Sequence, residues 1–447
     1  MPSRLSRLNS PNITWAAWLL LAALSGCASG PKPTASSRAA GPAPVQAASS
    51  ADTGQPLQAN TKATTITANA ASTDERFAQW IANFRESARA AGIDEATLRA
   101  GLDGVRLRPR AVELDRAQPE FTRALWDYVD AIISPTRIAA GQQKLAQLRV
   151  EADAASSRYG VPGPILMAVW GLESNYGSNY GDVPVFDALA TLGFEGRREA
   201  WARGELLAAL KILQRRDIEK ERMIGSWAGA MGQTQFMPSS YLAYAVDADG
   251  DGRRDIWGSM ADVLASTANF LARSGWRAEE SWGTEVQLPA DFDPARADPA
   301  LRQTSAQWAS EGVRAMDGTV LPALADASIL QPAGARGPAF LVGRNYRTIL
   351  RYNNSMSYAL TVCLLSQRIA GGPAVQASWP RDLRALSRSE VQVMQAALNR
   401  KGFDSGKPDG QMGPATRNAL QQYQRSIGLP ADGYPTADLL TRLQQEQ

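Results

Sequence analysis

The segment that decides the fold is Tyr159–Gly177, with the sequence YGVPGPILMAVWGLESNYG. Proline is favoured in the first turn of a helix and glycine just beyond its last turn. Pro162 and Pro164 therefore predict where a helix starts, and Gly177 predicts its C-cap.

The one acidic residue of this helix is Glu173. Leu166, Trp170 and Glu173 have the spacing i, i+4 and i+7, so Glu173 shares the apolar face. It also lies in the last turn, at the negative end of the helix dipole. Burial and the dipole both disfavour the ionised form and should raise the pKa of Glu173. A carboxylic acid that is neutral near pH 7 suits glycosidic bond cleavage. The alternative is an ion pair between Glu173 and an arginine such as Arg158 or Arg197.

The composition excludes several kinds of chemistry. The 447 residues include no histidine and two cysteines, Cys27 and Cys363. Ser-His-Asp catalysis, HExxH zinc sites, zinc-cysteine clusters and disulfide scaffolds are therefore excluded. The 47 Lys and Arg residues nearly balance the 44 Asp and Glu residues, so we expect no nucleic acid partner. Carboxylates, hydroxyls, amides, lysines or tyrosines must carry the chemistry, and no cofactor is required for it.

The N-terminus predicts the compartment. Basic residues precede the apolar run Trp15–Leu24, which is shorter than the ~20 residues of a membrane span. The sequence LSGC that ends at Cys27 resembles the lipobox of bacterial lipoproteins, in which the cysteine is acylated and becomes the first residue. The alternative is an ordinary secretory signal with an incidental cysteine. Ala28, rather than Asp, favours the outer membrane of a Gram-negative bacterium, with the protein facing the periplasm.

The rest of the chain divides by composition into a tether and a folded body. We predict a signal peptide over 1–26, a disordered tether over 27–72, a catalytic domain over 73–372, a linker over 373–381 and a C-terminal domain over 382–447. Helical spacing starts near Asp74, and a strand-containing lobe is expected at about 282–346, with further β-prone runs such as RTILRY. Ser357–Ile369 should form a buried helix, with Cys363 as a small core residue.

The C-terminal residues contain an internal repeat. Asp409–Leu420 (DGQMGPATRNAL) is echoed by Asp432–Leu440 (DGYPTADLL), each with a DG turn followed by a proline near a helix start. With the segment ahead of them these residues predict three short helices. The run resembles the C-terminal peptidoglycan-binding module of many wall hydrolases, and peptidoglycan is the partner that this resemblance implies.

Three ordered motifs in the body resemble the membrane-bound lytic murein transglycosylase B family. They are GLESNYG at 171–177, SWAGAMGQTQFMPSSY at 226–241 and RYNNSMSY at 351–358. The resemblance implies an α+β, mainly α fold, with a lysozyme-like catalytic core, a small strand-containing lobe and the C-terminal three-helix module. We expect the protein to act as a monomer.

The resemblance also implies a mechanism. Glu173 would protonate the oxygen between N-acetylmuramic acid and N-acetylglucosamine, then deprotonate the muramoyl C6 hydroxyl, which closes on C1 to give a 1,6-anhydro product. The residues carried over as glycan-binding are Ser226, Gln235, Tyr352, Asn353 and Tyr358. A lysozyme-type hydrolase needs a second carboxylate, and Asp182 or Asp187 could supply one in three dimensions. A non-catalytic wall-binding lipoprotein is the remaining alternative.

An acidic loop predicts a structural Ca²⁺ site. Asp247–Trp257 (DADGDGRRDIW) places aspartates at positions 1, 3, 5 and 9 and glycine at position 6 of an EF-hand loop, but position 12 is Gly258 instead of glutamate. The predicted ligands are Asp247, Asp249, Asp251 and the backbone carbonyl of Arg253, and the family resemblance adds Asp262. The alternative role for Asp262 is a capping box with Ser259.

Overall fold

The computed structural model describes residues 72–116 and 123–446. The predictions of a signal peptide over 1–26, of acylation at Cys27 and of a tether lie outside these residues, apart from Ser72. Ser72 caps the first helix: its hydroxyl accepts from the Glu75 amide while the Glu75 carboxylate accepts from the Ser72 amide. No helix in the described ranges has the length and apolar character that a bilayer span requires.

Helices make up most of the described chain. Those before the strand-containing lobe are α1 Thr73–Ala90, α2 Glu95–Leu102, α3 Pro109–Arg116, α4 Leu125–Ile132, α5 Pro135–Gln147, α6 Arg149–Tyr159, α7 Gly163–Ser174, α8 Val185–Phe194, α9 Glu199–Gln214, α10 Pro238–Tyr244 and α11 Met260–Arg273. α12 Ser305–Ser310 lies within the lobe, and the helices that follow it are α13 Arg344–Tyr352, α14 Met356–Ile369, α15 Arg388–Arg400, α16 Pro414–Ser426 and α17 Ala437–Gln445. Two short 3-10 turns lie at Lys220–Arg222 and Pro294–Arg296.

The core of the body surrounds α7. Helix α7 packs against α5, α6, α11 and α14, and most of its residues are buried. The predicted buried helix is α14, where Cys363 is fully buried among apolar side chains. Because both helices are apolar on almost every side, they can lie only in the interior. This places the C-terminal end of α7 and the N-terminal end of α14 in fixed positions.

The predicted small lobe is a four-stranded antiparallel sheet. Its strands are β3 Gly283–Gln287, β4 Arg314–Ala315, β5 Ser328–Leu330 and β6 Ala339–Val342. Their order across the sheet is β4-β3-β6-β5. Strand β3 pairs with β6 from Gly283 opposite Val342 to Val286 opposite Ala339. A separate two-stranded pair joins β1 Val183–Pro184 to β2 Ile224–Gly225.

The prediction that RTILRY is β-prone was wrong, because these residues belong to α13. Tyr346 and Ile349 are buried three residues apart, while the arginines at 344 and 351 are exposed. This spacing is that of an amphipathic helix. The β-branched and aromatic residues of the run obscured the helical period in the sequence.

The C-terminal region forms the three predicted helices, α15, α16 and α17, around their own apolar core. The two DG turns are held by the same arrangement of hydrogen bonds. The Gln395 amide accepts from the backbone N–H groups of Asp409 and Gly410 and donates to the Asp409 carboxylate. Gln424 does the same for the second turn, accepting from Gly433 and donating to Asp432. A buried glutamine in the preceding helix therefore fixes each copy of the repeat.

This helical module contacts the body beside the sheet. The Arg417 guanidinium donates to the Ala297 carbonyl at 3.0 Å, and the Asp432 carboxylate accepts from the Ala335 N–H at 2.9 Å. Arg425 pairs with Asp293 at 3.2 Å. These polar contacts join the module to the lobe at several points.

Candidate active site

Helix α7 presents Glu173 in its last turn. Pro162 is the N-cap, and the helix ends at Ser174 with Asn175 in the left-handed conformation at the C-cap. The prediction of Gly177 as the C-cap was wrong by two residues, because asparagine can adopt this conformation. Gly177 has a different role: its φ is +78°, and a Cβ there would lie 2.2 Å from the Gln233 Oε1 atom. A side chain at 177 would therefore displace the neighbouring loop.

Among the described residues, a single hydrogen bond holds the Glu173 carboxyl group. The Tyr358 hydroxyl, from the first turn of α14, donates to the Glu173 Oε1 atom at 2.6 Å. Burial raises the pKa of Glu173 to about 7, and the hydrogen bond from Tyr358 opposes that rise. Desolvation favours the neutral acid because the charged form loses its hydration. Glu173 can therefore hold a proton at neutral pH and still lose it readily.

The arginine alternative for Glu173 was wrong. Arg197 pairs with Asp115 at 2.6 Å, and the Arg158 guanidinium lies over the Tyr159 ring. Neither arginine is among the causes of the pKa shift of Glu173. The Glu173 carboxyl is therefore governed by burial and by Tyr358.

No second acid of the described chain is among the causes of that shift either. Asp187 is engaged elsewhere, since it pairs with Arg108 at 2.6 Å and accepts from the Arg106 N–H at 3.1 Å. Asp182 is exposed to solvent just before β1. The environment of Glu173 is thus that of a lone carboxyl group.

The charge of Glu173 raises the pKa of two further tyrosines. Tyr352, at the end of α13, has a pKa raised by burial and by the charge of Glu173. The same two causes raise the pKa of Tyr128, in α4, to about 12. Sequence reasoning missed Tyr128, which lies 45 positions before Glu173 in a short helix without a recognisable motif. Only the packing of α4 near α14 reveals it.

The motif at 226–241 forms a tight loop against this group. The Ser226 hydroxyl accepts from the Ala228 and Ala230 N–H groups at 3.3 and 3.1 Å. The Gln233 amide accepts from the Trp170 indole at 2.9 Å, which ties the loop to α7. The Tyr352 hydroxyl donates to the Thr234 carbonyl at 2.7 Å, which ties it to α13. Tyr352 thus fixes the loop as well as lying near Glu173.

Gln235 and Asn353 offer polar groups for a ligand. The Gln235 Nε2 atom donates to the carbonyls of Tyr180 and Gly232, both at 2.9 Å, which leaves the Oε1 atom to accept from a ligand. Gln235 has a φ of +50°, a conformation uncommon for a non-glycine residue. Asn353 caps the end of α13, and its side chain makes no hydrogen bond within the described ranges.

The acidic loop brings together three of its predicted carboxylates. Oxygen atoms of Asp247, Asp249 and Asp262 lie within 4.8 Å of one another. The Asp262 carboxylate accepts from the Ala248 and Asp255 N–H groups at 2.6 and 2.7 Å. Burial, together with the charges of Asp249 and Asp247, raises the pKa of Asp262 to about 6. Oxygen ligands crowded so closely fit a hard divalent cation.

The other predictions for the acidic loop have different outcomes. Asp251 lies outside this group and accepts from the Arg253 N–H at 2.8 Å. The backbone carbonyl of Arg253 stays a predicted ligand. Ser259 is the N-cap of α11, as the alternative required, but the Asp262 carboxylate bonds to the loop instead of returning to Ser259. Asp262 is therefore not part of a reciprocal capping box.

A mainly helical body with a partly buried glutamate of raised pKa at the end of its central helix is typical of lysozyme-like, glycan-cleaving proteins. Residues 76–367 match the family described as transglycosylase SLT domain, and residues 387–443 match the peptidoglycan binding domain. The chain belongs to this family of transglycosylases. The predictions of family, fold class and enzyme class are confirmed.

Characterised relatives agree with this assignment. The chain is 33% identical over 250 residues to membrane-bound lytic murein transglycosylase B of Escherichia coli, a match that covers 54% of this chain and 66% of that relative. The crystal structure of SltB3 from Pseudomonas aeruginosa in complex with NAG-anhNAM-pentapeptide matches with 49% identity and a TM-score of 0.80, covering 82% of this chain and 99% of that one. The Escherichia coli lytic transglycosylase Slt35 in complex with calcium matches with 30% identity and a TM-score of 0.55, covering 66% of this chain and 92% of that one.

Proposed function

We propose that the protein is a lytic transglycosylase that cleaves the β-1,4 bond between N-acetylmuramic acid and N-acetylglucosamine in peptidoglycan. Glu173 serves as its single acid and base. The observation that carries this proposal is the pKa of Glu173, which burial raises to about 7 with no second acid among its causes. An acid with a pKa near the working pH transfers protons efficiently in both directions.

The reaction balances with one carboxyl group. In the first step the Glu173 proton passes to the bridging oxygen, and the bond from that oxygen to the muramoyl C1 atom breaks. In the second step the Glu173 carboxylate takes the proton of the muramoyl C6 hydroxyl, whose oxygen bonds to C1. No water is consumed, and Glu173 ends as it began, protonated. The Tyr358 hydroxyl stabilises the carboxylate between the two steps because it donates to Oε1.

The hydrolase alternative is disfavoured by the surroundings of Glu173. A retaining or inverting glycosidase holds two carboxyl groups roughly 5–10 Å apart. Asp187 is bound to Arg108, and Asp182 is exposed. Neither acid contributes to the pKa of Glu173, as a negative charge close by would.

The residues around Glu173 would hold the glycan. In the part of the chain that the structure describes, no hydrogen bond engages the Asn353 side-chain amide or the Gln235 Oε1 atom, and both groups suit the N-acetyl groups of the sugars. The Ser226 hydroxyl retains its hydrogen as a donor. The ring of Tyr352 is held by its own hydrogen bond, so it is preorganised.

The remaining parts would direct the enzyme to its substrate. The α15–α17 module would bind peptidoglycan, and acylation of Cys27 would anchor the chain in the outer membrane, facing the periplasm. Acyl chains contribute ~0.8 kcal/mol per buried methylene, so two or more chains hold a protein firmly. We propose that the enzyme acts as a monomer and needs no cofactor for its chemistry.

A structural Ca²⁺ ion is proposed for the acidic loop. Asp247, Asp249 and Asp262 would bind it, and the cation would offset the repulsion between them. Binding to the folded state alone raises the unfolding temperature. We expect millimolar Ca²⁺ to raise the midpoint for the native protein and not for Asp262→Asn. An unchanged native midpoint would contradict the site.

Two matched variants test the catalytic proposal. Glu173→Gln keeps an oxygen that accepts from Tyr358 but removes the proton, so release of soluble fragments from purified sacculi should fall by about 10²–10⁴-fold. Asp182→Asn removes the exposed carboxylate that the hydrolase alternative requires and should leave the rate within about twofold. Full activity of Glu173→Gln, or a comparable loss for Asp182→Asn, would contradict a single acid at position 173.

A further inference from the structure

An open pocket lies beside the C-terminal end of α7, between that end and α5. Its volume is about 440 Å³, and its lining includes Ser134, Arg137, Lys144, Asn175, Tyr176 and Ser178. All of the side chains that line it are neutral or positively charged.

The two cations of this pocket have no carboxylate partner within the described residues. The Arg137 guanidinium, which is partly buried, donates one hydrogen bond, to the Asn175 side chain at 3.2 Å. The Lys144 ammonium lies 6.0 Å from the centre of the Trp170 ring and donates no hydrogen bond within residues 72–116 and 123–446. Neither forms an ion pair with a carboxylate of those residues.

The pocket adjoins the candidate active site in two ways. Asn175 follows Glu173 by two residues, so the pocket begins where the catalytic helix ends. The Arg137 guanidinium donates to the Asn175 side chain at 3.2 Å, which joins α5 to the end of α7, and the charges of Glu173 and Arg137 both affect the pKa of Tyr128. A ligand bound beside Glu173 can thus extend past Tyr128 towards Arg137.

The spacing of the cations predicts the shape of what they bind. Arg137 and Lys144 are seven residues apart on one face of α5, which corresponds to about 10 Å along the helix axis. An extended peptide covers a similar distance in three residues. Two carboxylates about three residues apart on an extended peptide would therefore reach both cations.

We propose that this pocket binds carboxylates of the peptide that hangs from each muramoyl residue of the substrate. This inference rests on the proposed function and names the second chemical feature that the enzyme recognises. Arg137 would bind one carboxylate with two parallel hydrogen bonds, and Lys144 would bind another as a point charge. Between the catalytic helix and these cations the Asn175 amide accepts from Arg137 at 3.2 Å and donates to the Ser178 hydroxyl at 2.8 Å.

The test compares two substrates, glycan strands that carry their stem peptides and the same strands stripped of peptide by an amidase. We expect kcat/KM of Arg137→Gln and of Lys144→Gln to fall by about tenfold each on peptide-bearing strands, the usual effect of losing a charge-assisted contact. On stripped strands both variants should equal the native enzyme. Arg137→Lys should recover part of the loss, and Lys211→Gln, which removes an exposed positive charge on α9, should have no effect.

Chemical modification of the substrate identifies the group that the pocket binds. Converting the peptide carboxylates of the substrate to amides should lower kcat/KM of the native enzyme and leave that of the double variant unchanged. Equal losses on both substrates, or no loss on either, would overturn the peptide pocket. Failure of the native enzyme to form an anhydro product from either substrate would instead overturn the proposed function, so the two failures are distinguishable.

Discussion

The hydrogen bond between Tyr358 and Glu173 makes a quantitative prediction about pH. The hydroxyl donates to the Oε1 atom at 2.6 Å and lowers the pKa of Glu173, against the larger effect of burial. A hydrogen bond to a charged group contributes about 1.5–3 kcal/mol, and one pKa unit corresponds to about 1.4 kcal/mol. Tyr358→Phe should therefore raise the pKa of Glu173 by about one to two units above its present value near 7.

The assay is the pH dependence of kcat/KM on soluble glycan strands. Because the first step needs the protonated acid, kcat/KM of the native enzyme should fall as the pH rises through about 7. In Tyr358→Phe this alkaline limb should move to higher pH by the same one to two units, even if the maximum rate is lower. Tyr352→Phe is the control, since its hydroxyl binds the Thr234 carbonyl and its loss should leave the limb in place. An alkaline limb of kcat/KM that keeps its position, or moves to lower pH, in Tyr358→Phe would refute the reasoning.

Three further outcomes are expected. Glu173→Gln should be more stable than the native protein by at most about 3 kcal/mol at pH above 7. The reason is that the pKa of Glu173 is raised from 4.5 to about 7 in the folded state, so ionisation of the carboxyl group costs stability. In urea unfolding, the difference in free energy of unfolding between the two proteins should vanish below about pH 4.5. Leu420→Ala, in the core of the C-terminal module, should destabilise that module by about 2–5 kcal/mol and weaken cosedimentation with sacculi, while activity on short glycan oligomers persists. Asn353→Ala should lower kcat/KM by about tenfold with an unchanged unfolding midpoint, since its side chain makes no hydrogen bond in the described protein; a lower midpoint would show a structural role instead.

Local patterns were enough to predict several elements. The apolar runs around Glu173 and Cys363 gave two buried helices, since no exposed helix is apolar on all sides. The repeated DG turns likewise predicted the three helices of the C-terminal module. In each case the information is local, within one helix or within one copy of the repeat.

Other features could not be predicted because they depend on distant residues. The partner of Glu173 is Tyr358, 185 positions away, and its position follows only from the packing of α14 against α7. The family resemblance named Tyr358 without giving its contact. Tyr128 has no motif at all. The error at RTILRY arose because intrinsic β preference competed with the helical spacing of Tyr346 and Ile349, and burial of that face favoured the helix.

The most direct measurement is digestion of purified sacculi in water enriched with ¹⁸O, followed by mass spectrometry of the released muropeptides. A single acid and base at Glu173 predicts muramoyl ends that are lighter than reducing ends by one water and carry no ¹⁸O. Hydrolysis requires a water molecule at C1. Reducing muramoyl ends labelled with ¹⁸O, formed at a rate that Glu173→Gln abolishes, would contradict intramolecular ring closure.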